Sequence, residues 1–355
     1  MTSELSEAHI RSGKVMTVAG PICVDEMGVT LMHEHILNDC RCWWHQPKTP
    51  ERQYLAEGFV CMEILGELRQ DPFVNKHNIT LDDEPLAITE LMDFAKAGGK
   101  TVVEPTCQGI GRNPLALRRI AKASGLNIVM GAGYYLASSH PAKVAEMTVE
   151  AIADEIVQEA LVGVDGTDVK IGLIGEIGVS SDFTAEEEKS LRAAAQAQLR
   201  TGLPLMVHLP GWYRLGHKVL DIAAEEGADL RHTVLCHMNP SHDDLTYQGE
   251  LASRGAFIEY DMIGMDFFYA DQQVQCPSDE DAARAIVKLV EMGHLDRILL
   301  SHDVFLKMML SRYGGNGYAY ILRHFLPRLQ RHGLGADALT TLMRGNPRSV
   351  FQAAA

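Results

Sequence analysis

From residue 83 to near the C-terminus the chain repeats one unit: a helical stretch, then a short apolar run that ends at a polar residue. Residues 83–97 carry Leu86, Ile88, Leu91, Phe94 and Ala95 at helical spacing and stop at Gly98-Gly99. Thr101-Val102-Val103-Glu104 reads as the strand that follows. Asn113-Pro114 opens the next helix, cap then proline, and Gly125 closes it. The same pattern predicts strands at 127–131, within 169–179, and at 204–208, 233–237, 256–260 and 297–301. Helices are expected over about 141–161, from the capping box Thr184-x-x-Glu187 to Gly202, and over 215–226, 243–254 and 278–292. With an earlier strand beginning at Val29, this makes eight strands alternating with helices. Such alternation argues a parallel sheet, and eight units argue its closure into a (β/α)8 barrel with the active site at the carboxyl ends of the strands. An open doubly wound sheet is the competing arrangement. It would normally bring a glycine-rich phosphate loop, and no G-x-G-x-x-G follows an early strand here. The expected organisation is a single barrel domain over residues 1–355, with a short N-terminal β segment at about 14–23.

Chemistry-bearing side chains fall on this grid. His33 and His35 follow Val29-Thr30-Leu31-Met32 and stand two apart, so on an extended chain both imidazoles point to the same side. Glu176, His208 and His237 come late in or at the ends of strands four, five and six, and Asp303 follows strand eight. Spacings near one βα unit put these groups at one height on the barrel rim. Neutral imidazoles with carboxylates suit a borderline-soft divalent ion such as Zn²⁺. One catalytic zinc usually takes three protein ligands plus water, so this set suits two ions. His33, His35 and Asp303 would hold one, His208 and His237 the other, and Glu176 would bridge them. Two ions about 3.5–4 Å apart can share a hydroxide and polarise a carbonyl or phosphoryl oxygen, which is machinery for hydrolysis.

The rest of the composition narrows the class. Apolar residues are 46% of the chain, enough for a sizeable core, and the formal net charge of −15 disfavours nucleic acid and anionic membranes. No apolar run approaches the ~18–20 residues of a membrane span. Residues 1–7 have neither a basic region nor an apolar core, so no signal peptide is expected. Seven cysteines without a C-x-x-C fit reduced thiols in a cytoplasm, and Cys40 and Cys42 read as loop thiols. Residues 38–80 are irregular apart from a helical stretch at about 53–67, and an excursion this long after a ligand-bearing strand is the kind that walls a site.

The order His-Glu-His after Leu-Met, then Ile174-Gly175-Glu176-Ile177-Gly178, Val207-His208, Cys236-His237 and Ser301-His302-Asp303 resembles the phosphotriesterase family of the amidohydrolase superfamily. Gly163-Val164-Asp165-Gly166-Thr167 and Tyr313-Gly314-Gly315-Asn316-Gly317-Tyr318 are closer still to its phosphotriesterase-related, or resiniferatoxin-binding, subgroup. The likeness runs from about Lys14 to Phe351. It implies a (β/α)8 barrel, a binuclear zinc-type centre, hydrolase chemistry, and ligation by His33, His35, Glu176, His208, His237 and Asp303. Many members bridge the ions with a carboxylated lysine on strand four. Here Glu176 holds that place. Lys170, six residues earlier, belongs ~20 Å back at the other end of the barrel. The missing lysine puts phosphotriester hydrolysis in doubt.

These observations predict a cytoplasmic hydrolase that attacks an ester, lactone or N-acyl amide carbonyl, or a phosphoester, through a metal-bridging hydroxide. Two divalent ions, zinc by preference, are its cofactors, and Asp303 is its proton shuttle. The alternatives are a metal-containing small-molecule binding protein without turnover, and a mononuclear deaminase on the same barrel, which would need no bridging Glu176. Tyr134, Tyr135, Tyr260, Asp261 and Lys307 are candidate substrate contacts. Lys307 and Arg312, near the glycine-rich 313–317 loop, would select an anionic substrate if they face the site. The partners to expect are a small-molecule substrate and, in a homo-oligomer, further copies of this chain.

Overall fold

The computed structural model describes residues 13–352, so the opening segment read for a leader lies outside the described residues. A hairpin comes first, β1 (Lys14–Thr17) against β2 (Gly20–Cys23), within the expected N-terminal β segment. The barrel strands are β3 (Thr30–Leu31), β6 (Thr101–Glu104), β7 (Asn127–Met130), β8 (Ile174–Gly178), β9 (Leu205–His208), β10 (Thr233–Leu235), β11 (Phe257–Tyr260) and β14 (Ile298–Leu300). They run parallel in two arcs, β3-β6-β7 and β8-β9-β10-β11-β14. Two irregular seams close the ring. At one, Gly172 and Gly175 N–H donate to the Met130 and Ala132 carbonyls. At the other, Asp303 N–H donates to the His33 carbonyl and His35 N–H to that of Val304, both at 3.1 Å. The fold is the expected (β/α)8 barrel.

Its interior is filled by Met32, Val103, Val129, Leu173, Met206, Val234, Phe257 and Leu299, all buried and packed in one cluster. Each comes from a barrel strand or the residue beside one, as expected when a ring of strands fills its own centre. The helices pack outside. The predicted caps Asn113 and Thr184 are in place, and Asp83, Thr148 and Ser278 side chains likewise each accept from a first-turn N–H.

Two helical expectations change. The stretch at 141–161 is broken into Lys143–Glu146 and Val149–Leu161, because Thr148 caps the second helix and cannot also continue the first. The stretch at 53–67 is a chain of 3-10 turns, Pro50–Leu55 and Met62–Ile64, that reaches a short α-helix only at Leu65–Gln70. The Asn75 amide donates to the Leu55 and Gly58 carbonyls, so these are bonded across the excursion rather than along a helix. The excursion is pinned at its ends by β4 (Asn38–Asp39) against β5 (Thr80–Leu81), and a second hairpin, β12 (Phe268–Tyr269) and β13 (Val274–Gln275), rises from the loop after β11. No helix of the described residues is long and apolar enough to cross a membrane.

Candidate metal centre

At the carboxyl end of the barrel, His33, His35, Glu176, His208, His237 and Asp303 converge. Different devices aim them. His208 follows Met206 by two and points inward by strand parity. His237 and Asp303 have φ of 57° and 50°, the left-handed region that L-residues seldom occupy, and this turns each side chain off its strand's course. Glu176 lies at a register irregularity between Ile174 and Ile177. A Cβ on Gly175, whose φ is 129°, would stand 2.3 Å from the Met206 carbonyl oxygen, so glycine is what lets β8 approach β9 before Glu176.

The Glu176 carboxylate divides between two groups. Its Oε1 lies 2.8 Å from His208 Nδ1 and 3.0 Å from His237 Nε2. Its Oε2 lies 3.6 Å from His33 Nε2 and 3.7 Å from His35 Nε2. Asp303 Oδ1 completes the second group at 3.6 Å from His33 Nε2 and 3.4 Å from His35 Nε2. These contacts are too long for hydrogen bonds. They match the edge of a tetrahedron with bonds of ~2.0–2.2 Å, which is about 3.3–3.6 Å. His33 Nε2 is buried without a hydrogen-bond partner and faces this gap. The spacing therefore fits a divalent ion among His33, His35 and Asp303, whereas His208 Nδ1 and His237 Nε2 lie 2.7 Å apart, at hydrogen-bond distance of each other and of Glu176 Oε1. Burial works against a charged His237, but Asp261, Glu176 and Asp303 outweigh it and raise its pKa to about 10.

Beneath lies a layer of carboxylates that the sequence reading did not foresee. Asp261 accepts from the His237 backbone N–H, lies 3.1 Å from His237 Nδ1 and faces His33 Nδ1 at 3.2 Å. One carboxylate thus holds His237 by hydrogen bonds and stands against His33 Nδ1, which makes no hydrogen bond of good geometry, leaving both Nε2 atoms for ligation. Asp261, expected to meet substrate, is wholly buried and does not line the cavity. Beside it Glu259 is pushed up to about 7, mainly by burial. His35 Nδ1 is held by the Thr106 hydroxyl at 2.7 Å, which donates to Glu104 at 2.5 Å. Glu34 accepts from Ser301 Oγ, His302 N–H, His302 Nδ1 and Val304 N–H, and so clamps the segment carrying Asp303. The signal for this layer was acidic residues standing inside apolar strand ends.

The other candidate contacts separate. Tyr135 lines the cavity above the centre, its hydroxyl 3.4 Å from His208 Nδ1. Tyr134 turns outward to Glu155, and Tyr260 is buried against Gln248. Lys307 is buried away from the cavity, its ammonium bonded to the Thr80 carbonyl and to Asp82. Arg312 is exposed, and the glycine-rich loop packs on Met308 and Met309 away from the cavity lining. The expected cationic contacts are thus elsewhere, because a buried ammonium takes the oxygens nearest it. Lys170 sits beside residues 16–21 of the first hairpin, away from Glu176.

The cavity has a volume of about 910 Å³ and reaches His35, Glu176, His208, His237 and Asp303 at its floor. Cys40 and Cys42 border it as free thiols.

The sequence profile of the phosphotriesterase family matches residues 13–351. An N-acetyltaurine hydrolase of Xenopus tropicalis is 37% identical over 340 residues, 95% of this chain and 97% of that one. A crystal structure described as a resiniferatoxin-binding protein from Rhodobacter sphaeroides is 70% identical, with a TM-score of 0.97 over 99% of this chain and 98% of that one. A lactonase from Listeria monocytogenes is 26% identical, with a TM-score of 0.78 over 95% of this chain and 98% of that one.

Proposed function

The chain belongs to the phosphotriesterase family, as a hydrolase of that family, and from this premise we propose that it is a two-ion enzyme acting on esters, lactones or N-acyl amides. The observation that carries the reading is the Glu176 carboxylate, which faces one histidine pair with each oxygen at the floor of an open cavity. His33, His35 and Asp303 would hold one ion, His208 and His237 the second, with Glu176 between them. Divalent ions there, zinc by ligand chemistry, would supply Lewis-acid polarisation of the acyl oxygen and acidify water near neutral pH.

The chain's own residues do the rest. Asp303 turns Oδ1 to His33 and His35 and leaves Oδ2 beyond hydrogen-bond distance of His237 Nδ1, at 3.9 Å. Oδ2 is the atom that takes a proton from the attacking water and returns it to the leaving oxygen or nitrogen. The Tyr135 hydroxyl stands beside His208 and can donate to the acyl oxygen. Asp261, Thr106 and Glu34 keep the ligand atoms in place through buried hydrogen bonds. A small molecule is the partner this needs, and free cysteines throughout the described residues suit a reducing cytoplasm.

The test is a screen of esters, lactones and N-acyl amides, N-acetyltaurine among them, with metal-loaded protein. Turnover that a chelator abolishes and Zn²⁺ restores is the expected result. Stoichiometric binding without turnover would favour the binding-protein reading, and ammonia release from an aminated ring the deaminase.

A further inference from the structure

The cavity wall above the centre is aromatic and pre-stacked. Trp43 lies on Phe73 with centroids 5.4 Å apart and planes 19° from parallel, and Phe73 lies on Tyr269 at 5.3 Å and 14°. Trp212 meets Tyr269 edge-on at 5.8 Å, and Phe305 leans on Phe73 at 6.2 Å. These rings come from separate loops, after β3, β9, β11 and β14, yet form one continuous face of the cavity. Their mutual packing fixes them before any ligand arrives, so little ordering entropy remains to be lost on binding.

Charge on the wall is one-sided. Among the described residues lining the cavity there is no lysine or arginine. Lys307 is occupied by Thr80 and Asp82, and Arg41 by Asp39. Of the acids outside the metal centre, Glu187 accepts from Ala137 N–H, Ser180 N–H and Thr184 N–H, while Asp271 is exposed on the rim. The polar part of the lining, Ser138, Ser180, Ser181, Thr184 and Gln272, is uncharged, and a sulfonate or carboxylate laid against the aromatic face would leave water for aromatic carbon with no counter-charge. A flat apolar group would instead meet ring faces.

We propose that the wall selects acyl substrates that are uncharged beyond the scissile bond and carry an aromatic or flat apolar group there, and that it discriminates against anionic N-acyl amides. This rests on the hydrolase reading above. In the reaction the oxygen of water bonds to the acyl carbon and the acyl C–O or C–N bond breaks. One proton of that water ends on the leaving atom. The cavity, near the upper end of the ~300–1,000 Å³ that holds drug-sized ligands, has room for such a group.

Matched amides test the idea: N-acetyl-2-phenylethylamine and N-acetyltaurine differ only in carrying phenyl or sulfonate at the same carbon. With zinc-loaded protein, kcat/KM is expected to favour the phenyl amide by at least about tenfold. Trp43→Leu and Tyr269→Leu should each lower that ratio by roughly two- to tenfold, the worth of one aromatic contact. Asp271→Lys should raise kcat/KM for N-acetyltaurine and leave the phenyl amide less favoured. If one wall variant fails to fold, the other decides. Equal or better turnover of N-acetyltaurine, or ratios that none of the three substitutions moves, would overturn the proposal. If neither amide is hydrolysed, the hydrolase reading fails on these probes and binding decides the wall's role by quenching of Trp43 and Trp212 fluorescence. Tighter binding of the phenyl amide supports it. Equal, weaker or absent binding overturns it.

Discussion

Replacing Asp261 by asparagine tests how the ligand histidines are held. The carboxylate accepts from the His237 backbone N–H, lies 3.1 Å from His237 Nδ1 with one oxygen, and faces His33 Nδ1 at 3.2 Å with the other. Asparagine keeps one oxygen and presents an NH₂ in place of the second. If the oxygen stays with His237, the new donor confronts His33 Nδ1. That ring must then carry its proton on Nε2, the atom aimed at Asp303 and Glu176. The amide flipped the other way transfers the same problem to His237. In either pose one histidine is lost as a ligand and the other kept. Losses of such supports typically weaken metal binding 10–100-fold, or about 1.4–2.8 kcal/mol. Competition against a chromophoric chelator, titrated to two equivalents, should show one zinc weakened by that factor and the other little changed. Tyr260→Phe is the control beside it. It removes the 2.6 Å bond to Gln248 and leaves that buried carbonyl without a donor, should cost about 1–3 kcal/mol in stability, and should leave both metal affinities alone. If both affinities in Asp261→Asn stay within about threefold of the parent, the orienting role assigned to Asp261 is wrong.

Glu34→Gln places a donor among the N–H and O–H groups that now donate to the carboxylate, so the Asp303 segment should loosen. We expect roughly 1–3 kcal/mol of lost stability in denaturant titration, with zinc weakened at the His33, His35 and Asp303 group rather than at His208 and His237. Gly175→Ala puts a methyl 2.3 Å from the Met206 carbonyl oxygen and should cost about 2 kcal/mol or more, read as a lowered Tm together with lost metal. Lys307→Ala should lower Tm, since it leaves a pocket that a buried ammonium filled, yet the ratio of kcat/KM for anionic and neutral amides should not change.

The strand and helix rhythm was legible because each unit carries its own stop signals, such as Gly98-Gly99, Gly125 and the Thr184-x-x-Glu187 box. The six rim groups were legible because their spacing follows that rhythm. What aims them was not. His237 and Asp303 depend on left-handed backbone, and Glu176 on a register irregularity in β8, none of which alternation of residue types encodes. Lys307 was misjudged because position on a loop does not say which way a long side chain turns, and here Asp82 and the Thr80 carbonyl capture it. The aromatic wall was invisible for a related reason. Trp43, Phe73, Trp212 and Tyr269 are far apart in the chain and meet only once the barrel is closed.

The central claim is that two ions share Glu176, and anomalous X-ray scattering at the zinc edge from crystals of zinc-loaded protein measures it directly. The account predicts two peaks per chain, about 3.5–4 Å apart. One should lie among His33, His35 and Asp303 and the other between His208 and His237, with a Glu176 oxygen within bonding distance of each. A single peak at saturating zinc, or a peak instead among His33, Cys236, Glu259 and Asp261, where ligand atoms also gather below the rim, would contradict it.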